Sequence, residues 1–381
     1  MTVRRSKLKK ILQNIAEFLT QTEIVFYCLF WLMVLVVVGT IAQRYVGLFQ
    51  AQQQYFSSFI LWFGPAPLPG GYTTLGIIFI NLVFFLIFKS VWKKENLGII
   101  ITHLGVLLLL VGAFLTAGFS TEGSMVIQEG ATSNFVRDYH NVELVVRDTS
   151  PEDSDQETNF TQGWLKPGSV LKTDLLPFKI QVLSFCKNCD PIRRNQPADL
   201  SYRGFAKNFD LASLPLDKED ERNRAGIFFK IDGADTLTNG TYALLEFMPV
   251  AQTLRVGGKI YELEIRRART YLPFRIHLID FEKQIYPGTN KARSYKSVVT
   301  LIDEGIQQRS VIQMNQPLRY KNYTFFQASF IEGDGQETTV LAVVKNVGRL
   351  FPYISSLIMC IGLLVHLLIQ VPKLIFKAKS R

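Results

Sequence analysis

Histidine and cysteine are scarce in this sequence, with four of each among 381 residues. Neither the glycine-rich P-loop of nucleotide-binding proteins nor the HExxH motif of zinc proteases occurs, and no Ser, His and Asp residues show hydrolase-like spacing. These absences argue against a hydrolase or an NTPase. We predict no catalytic residue in this chain.

Charge is absent from four long apolar runs, which are residues 24–41, 72–88, 97–119 and 351–371. A helix of roughly 20 apolar residues crosses a membrane core about 30 Å thick. We therefore predict four transmembrane helices, with residues 42–71 forming a loop on the outer side. A cleaved signal peptide is a poorer interpretation of the first run, because a long polar or mixed segment precedes it and no small-residue cleavage site follows.

Basic residues collect beside these runs. Twelve of the 42 Lys and Arg residues flank the runs, which leaves 30 against 32 Asp and Glu in the rest of the chain. This is a positive-inside pattern, so we predict that residues 1–23 and 372–381 are cytoplasmic, in a bacterial inner membrane or, alternatively, a thylakoid membrane. No nucleic-acid partner is expected, because that function needs a basic patch on a folded face. The twelve residues are Arg4, Arg5, Lys7, Lys9, Lys10, Lys89, Lys93, Lys94, Lys373, Lys377, Lys379 and Arg381.

The basic N-terminal segment also has apolar side chains at helical spacing between Leu8 and Leu19. Such a segment fits a helix that lies on the lipid surface at the inner face of the membrane. A positively charged topology signal with no other function explains the same residues equally well.

Residues 120–350 are numerous enough to bury a core of their own. Their apolar residues occur in short runs rich in Val, Ile, Tyr, Phe and Thr, and no long helical pattern interrupts them. We predict a large extracytoplasmic, mainly β domain, sandwich-like or an open barrel, attached to the four transmembrane helices. The strand-like runs are FKIQVLSF, GIFFKIDG, KIYELEI, SVVTLIDEG, SVIQM, YTFFQASF and TTVLAVVKN.

Two histidines, His103 and His366, lie inside predicted transmembrane helices, where an ionisable side chain is costly and often functional. Counted from the inner ends of their helices, each lies roughly 8 to 9 Å below the membrane boundary, so we expect them at one depth. Two imidazoles at one depth could bind a haem iron from opposite sides. The neighbouring Gly98, Gly105 and Gly112 would admit either a flat ligand or a second helix.

The alternative interpretation is that each membrane histidine hydrogen-bonds a backbone carbonyl or a hydroxyl, such as that of Thr102 or Ser356, and holds the helices together. The residues alone leave both interpretations open. Zinc is less favoured, because it needs three or four ligands. The other two histidines, His140 and His277, are isolated in the sequence, and His277 is expected on the polar face of a strand.

Cys186 and Cys189 form a CxxC motif in the predicted outer domain. A redox-active CxxC normally caps a helix, whereas this pair follows a strand-like run and precedes Asp-Pro. We therefore favour a structural disulfide in an oxidising compartment. Cys28 and Cys360 lie in predicted transmembrane helices and are interpreted as small apolar core residues.

Several stretches follow one another in the order of a known family. They are THLGVLLLLVGAF with GSMVIQEG, LPFRIHLIDFEKQIYPG with YKSVVTLID, NQPLRYKNYTFFQASF, and NVGRLFPYISSLIMCIGLLVHLL. Together they resemble the ResB (CcsB) family of system II cytochrome c biogenesis over nearly the whole chain, and PLRYKNYTFFQASF is the most specific part. The chain departs from the family at GTIAQRY after the first apolar run, and CKNC is outside the family pattern.

This resemblance implies a subunit that works with a CcsA (ResC) partner, moves haem across the membrane and presents it to the CxxCH thiols of apocytochrome c. It maps a haem ligand onto His103 and a characteristic last-helix histidine onto His366, and it favours a partner histidine opposite His103. The partner's tryptophan-rich motif is absent, so the chain is expected to be an accessory subunit of the haem lyase. Two other hypotheses stay open: a scaffold that docks apocytochrome or the partner, and a thiol oxidoreductase using Cys186 and Cys189.

Overall fold

The chain forms two compact units. The helical unit combines the residues up to Ser120 with those from Lys345 onward, and the β unit spans Thr121–Val344. Most of the predicted basic N-terminal segment lies outside the described residues, although residues 14–19 are helical. The computed structural model describes residues 14–151, 155–194, 199, 201–288, 292–332 and 337–379.

In the described residues, the helical unit contains four long helices, each apolar and long enough to cross a membrane. This confirms the predicted number of long apolar helices. The first helix continues five residues past its predicted end, because hydropathy marks only the apolar part of a helix, and it ends at Gly47 with φ 87°. The helices are α1 Thr22–Val46, α2 Gly71–Phe84 with a π-helical continuation Phe85–Lys89, α3 Leu97–Phe119, and α4 Phe351–Lys379.

Between α1 and α2 the predicted loop contains regular structure, including a two-stranded hairpin whose second strand is proline-rich. Proline is tolerated there because neither strand is flanked by a further one. The indole N–H of Trp31 in α1 donates to the carbonyl of Pro69 over 2.8 Å and ties the hairpin to the helix. The elements are a helical turn Leu48–Ala51, a π-helical turn Gln52–Phe56, β1 Ile60–Phe63 and β2 Ala66–Pro69.

The β unit confirms the predicted β-rich domain, and each of the seven strand-like runs corresponds to a strand, apart from one or two terminal residues of some runs. These runs are rich in β-branched and aromatic residues, which pack well on a pleated surface. The strands are β3 Thr121–Gln128, β4 Thr132–Asp148, β5 Gln156–Thr161, β6 Val170–Leu171, β7 Lys179–Cys186, β8 Cys189–Arg193, β9 Phe209–Ser213, β10 Gly226–Asp232, β11 Gly240–Leu245, β12 Gln252–Val256, β13 Lys259–Ile285, β14 Ala292–Asp303, β15 Ile306–Gln313, β16 Leu318–Tyr320, β17 Tyr323–Glu332 and β18 Glu337–Lys345.

Ten strands form one antiparallel sheet in the order β15-β14-β13-β4-β3-β18-β17-β16, with β12 beside β13 and β5 beside β4. The edge strand β15 contacts β16 and β17 at the opposite edge, so the sheet is nearly closed. A second sheet has the order β11-β10-β7-β6, and β8 pairs with β9. Both forms that the sequence left open, a sandwich and a barrel, therefore contribute to the domain.

The longest strand, β13, contributes to two hydrophobic cores. Its first half packs with the four-stranded sheet through Tyr261, Leu263 and Ile265, and its second half lies in the nearly closed part of the large sheet. The β13–β4 register shifts twice between Arg267 and Ile276. Such irregularities bend a strand and increase its twist, which lets one strand serve both cores.

The family-specific stretch PLRYKNYTFFQASF forms a tight hairpin that joins the two edges of the large sheet. Lys321 and Asn322 have φ of 43° and 67°, as a two-residue hairpin turn requires. The hydroxyl of Tyr320 donates to Asp303 Oδ2 over 2.6 Å, and Lys321 pairs with the same oxygen. The hydrogen bond from Lys321 holds the pKa of Asp303 below its usual value. This hairpin is thereby fixed to the turn between β14 and β15.

Candidate functional site

Helices α3 and α4 touch along a stripe of glycines. A Cβ placed on Gly98 would lie 2.3 Å from the backbone nitrogen of His366, and a Cβ on Gly112 would lie 2.2 Å from Cβ of Phe351. A Cβ on Gly105, between them, would lie 2.6 Å from Cγ of Met359. Only glycine allows the two helices to approach this closely.

The fourth helix contributes the matching small residue. A Cβ on Gly362 would lie 2.6 Å from the backbone nitrogen of Thr102, whose hydroxyl donates to the carbonyl of Gly98 over 2.9 Å. The small residues that could have admitted a flat ligand therefore admit the backbone of α4. The face of α3 that carries these glycines has no room for a porphyrin.

His103 lies on a different face of α3, against α2. Its ring centroid is 5.2 Å from that of Phe85, with 31° between the ring planes. Its Nδ1 is 2.7 Å from the carbonyl oxygen of Ile99, one turn earlier in the same helix. A carbonyl oxygen can only accept a hydrogen bond, so the donor proton is assigned to Nδ1 and the lone pair to Nε2.

His366 has a different environment. Its backbone packs on Gly98, and its Nδ1 is buried with no hydrogen-bond partner among the described residues. A buried imidazole nitrogen without a partner is costly. The interpretation that this histidine only hydrogen-bonds within the bundle therefore does not account for its Nδ1.

The structure does not bring the two membrane histidines together. His366 is level with Gly98, and His103 is five residues further along α3. That offset corresponds to about 7.5 Å along the helix axis and about 140° around it. The expected common depth is wrong because α4 extends beyond the inner end of α3, where Lys373 Nζ lies 3.4 Å from Glu95 Oε1.

The hydrogen bonding of His103 is compatible with that of a metal-ligating histidine. In metal and haem sites one ring nitrogen donates to a carbonyl or carboxylate, and this fixes the tautomer in which the other nitrogen can bind the metal. The Ile99 carbonyl does this for Nδ1 of His103 and leaves Nε2 available. His366 offers a nitrogen too, but no such orienting bond to Nδ1. No group of three or more His, Cys, Asp or Glu suited to a metal ion occurs within the described ranges.

The CxxC cysteines and the outer histidines lie in the β unit. The Sγ atoms of Cys186 and Cys189 are bonded, with 5.9 Å between the Cα atoms, at the turn between β7 and β8. His277 Nδ1 is 3.1 Å from the hydroxyl oxygen of Thr132. His140 is not isolated, because its Nδ1 lies 2.6 Å from Asp220 Oδ2. Eighty residues separate this pair, so spacing could not reveal it.

Sequence reasoning also missed a network of charged side chains on β4, β5 and β13. Arg266 lies opposite Glu143 in the β13–β4 register and contacts both Glu143, over 3.0 Å, and Glu157, over 2.8 Å. Burial would lower the pKa of Arg266, but hydrogen bonds to Glu157 and Glu143 outweigh it and hold the pKa above its usual value. The pKa of Glu157 is lowered, chiefly by its hydrogen bond from Arg266. The sequence signal for this network was the alternation of charged and apolar residues in ELEIR, the first part of ELEIRRAR.

Replacing Arg266 by methionine should reduce the free energy of unfolding by about 3–5 kcal/mol, because Glu143 would be left buried without its partner. Replacing Arg222, whose ion pair with Glu219 is exposed, should cost no more than about 1 kcal/mol. Urea unfolding of the full chain in nanodiscs measures both. Equal losses for the two variants would contradict this account of the network.

Comparison with known proteins points to one family. Residues 250–339 match the model of the ResB-like family, and this segment covers β12 to β17 and the first residues of β18, including the PLRYKNYTFFQASF hairpin. Protein NrfI of Wolinella succinogenes is 24% identical over 298 residues, which cover 77% of this chain and 30% of that protein. This chain therefore spans less than a third of the length of that curated relative.

Proposed function

We propose that this chain, whose residues 250–339 match the model of the ResB-like family, is a membrane subunit of the cytochrome c biogenesis machinery and that it handles haem. The observation that carries the proposal is the state of His103. Its Nδ1 is hydrogen-bonded to the Ile99 carbonyl, which leaves its Nε2 able to bind the haem iron. Haem is the cargo of this subunit rather than a resident cofactor.

The second axial ligand opposite His103 comes, in this proposal, from another chain. His366 lies about one and a half turns away on a different side of α3, and the described part of the chain has no third histidine in its long helices. Apolar side chains of the two helices that meet at His103, including Phe88 and Leu104, are exposed in the single chain and suit an apolar macrocycle or a partner helix. A CcsA/ResC-type membrane protein is the partner that the family resemblance implies.

His366 is proposed as a haem ligand at a separate position, because its buried and unpartnered Nδ1 is what a histidine awaiting a ligand or a proton acceptor would show. Movement of the cargo from one histidine to the other would require it to pass around α3, since the glycine contact closes the direct route between α3 and α4. The partner chain would line that route.

Basic residues and the disulfide indicate which side of the membrane each unit faces. Lys89 and the Glu95–Lys373 ion pair mark the end of the helical unit that faces the cytoplasm, by the positive-inside rule. The β unit then lies on the outer side, where the disulfide between Cys186 and Cys189 suits an oxidising compartment. There it would dock apocytochrome c, whose CxxCH thiols receive the haem. Without haem binding at His103, the β unit would serve only as a scaffold.

Purification of this chain together with its CcsA/ResC-type partner tests the proposal. The complex should show a Soret band and an α/β pattern typical of bis-histidine haem on reduction, with at least about half a haem per complex. The chain alone should retain far less, because it supplies only one ligand to that iron. A complex that assembles fully and carries no haem would leave only the scaffold function.

A further inference from the structure

A cavity of about 190 Å³ opens in the β unit where β4 and β13 meet the end of β11. It belongs to neither the histidines nor the disulfide, and its lining combines several guanidinium groups with apolar side chains. The lining includes Arg137, Arg269, Glu246, Phe247 and Val250.

Within the described residues, two of the arginines in this cavity have no ion-pair partner. Arg137 and Arg269 make no ion pair and no side-chain hydrogen bond with any residue in the described part of the chain. Their guanidinium groups rest near the ring of Phe135, at 5.8 Å and 4.5 Å from its centroid. Both side chains are partly buried, so water screens them less than it would at an open surface.

The other two arginines of the cavity have anionic partners. Arg266 is held by Glu143 and Glu157, as described above. Arg267 Nε lies 2.7 Å from Glu246 Oε1. The second oxygen of Glu246 accepts the backbone N–H of Ala225 over 3.2 Å. The carboxylates around the cavity are therefore already engaged.

Arg137 and Arg269 are also placed directly opposite each other in the β4–β13 register. Like charges at directly opposed positions destabilise a strand pair. Burial, with the nearby charges of Arg269 and Arg266, lowers the pKa of Arg137. An arrangement that costs stability and faces a cavity is typical of a site completed by a ligand of opposite charge.

The rim of the cavity is apolar and open. The side chains of Phe247 and Val250 are 66% and 71% exposed. Phe247 has φ of 65°, an uncommon backbone conformation for a bulky residue, in the turn after β11. Strain of this kind is retained where the surroundings need a particular side-chain position.

We propose that this cavity binds an organic carboxylate, whose carboxylate group lies between Arg137 and Arg269 and whose apolar body rests against Phe247 and Val250. Guanidinium groups match a carboxylate in planar, two-point hydrogen bonds. The exposed apolar rim favours a carboxylate carried on a ring or chain over a bare inorganic anion. This proposal rests on the cavity, whose lining residues all belong to the β unit, so a failure to bind a carboxylate there would leave the proposal for His103 unchanged.

The test uses the full chain in nanodiscs of zwitterionic lipid and the probe 4-(trifluoromethyl)benzoate, followed by ¹⁹F NMR against empty nanodiscs. The wild type should broaden the probe signal in a saturable way. R137Q and R269Q should each weaken binding at least about tenfold. R309Q, which removes an exposed arginine from β15, should bind as the wild type does. The neutral analogue 4-(trifluoromethyl)benzamide should show no saturable broadening.

Unfolding midpoints of the variants distinguish a loss of binding from a loss of folding. R137Q and R269Q should be at least as stable as the wild type, because each relieves the repulsion between opposed arginines. Loss of benzoate binding with an unchanged or raised midpoint supports the site. Equal binding of benzoate and benzamide, or full benzoate binding by the folded R137Q/R269Q double variant, would overturn it.

Discussion

Replacing His103 by glycine should remove most of the haem that co-purifies with the complex of this chain and its partner, leaving only haem bound at His366. The imidazole is the ligand that this chain supplies to the proposed site, and glycine leaves a hole beside Phe85 with no donor atom. Loss of one axial ligand also changes the spectrum of any haem that remains. Haem content by pyridine haemochrome and the Soret maximum of the purified complex measure both effects.

Added imidazole separates a ligand from a packing residue. If Nε2 of His103 binds the iron, free imidazole should enter the hole in the His103→Gly variant and restore much of the haem content and the wild-type Soret maximum. His277→Gly, which removes an imidazole from the β unit, is the matched control and should change neither quantity. A His103→Gly complex with full haem content and an unshifted spectrum would rule out the ligand function.

Replacing Gly98 by leucine should separate α3 from α4. A Cβ at this position would meet the backbone nitrogen of His366 at 2.3 Å, and backbone atoms cannot swing aside as a flexible side chain can. Overpacking typically costs about 1–3 kcal/mol, and we expect the upper end of that range or more, because the side chain would have to displace a helix. Thermal unfolding of the detergent-purified chain should show a lowered midpoint and a reduced yield.

Gly118 provides the control within the same helix. Nothing lies within 4 Å of a Cβ added there, so Gly118→Ala should be neutral or stabilise by up to about 1 kcal/mol through helix propensity. Gly98→Ala should destabilise even with a single added methyl group. Comparable midpoints for the two alanine variants would show that the glycine contact between α3 and α4 has little energetic weight.

The number of long helices and the strand content could be predicted from the sequence because each depends on local composition. An uncharged run such as residues 97–119 is stable as a helix in a membrane whatever surrounds it, and short β-branched runs such as GIFFKIDG have few alternatives to a strand. Element ends were less well determined. α1 reaches Val46 because backbone hydrogen bonding continues through Gln43 and Arg44, which hydropathy excludes.

Contacts between distant residues could not be predicted in the same way. Nothing in the sequence pairs Arg137 with Arg269, or His140 with Asp220, because strand register and loop placement decide these contacts. The glycines of α3 were visible in the sequence, but the sequence could not show whether they admit a flat ligand or a second helix. The positions of Gly98 and Gly362 show that a helix occupies it.

The sequence by itself determined that His103 and His366 lie in apolar helices, because each belongs to an uncharged apolar run, residues 97–119 or 351–371. It also determined the charge pattern from which the orientation is proposed. Tertiary structure alone decided that the two histidines occupy different levels and different sides of α3. The physical reason is that the register between two packed helices fixes both the depth of a side chain and the direction in which it points. Glycine contacts set the register between α3 and α4, and counting residues from the helix ends does not reveal them.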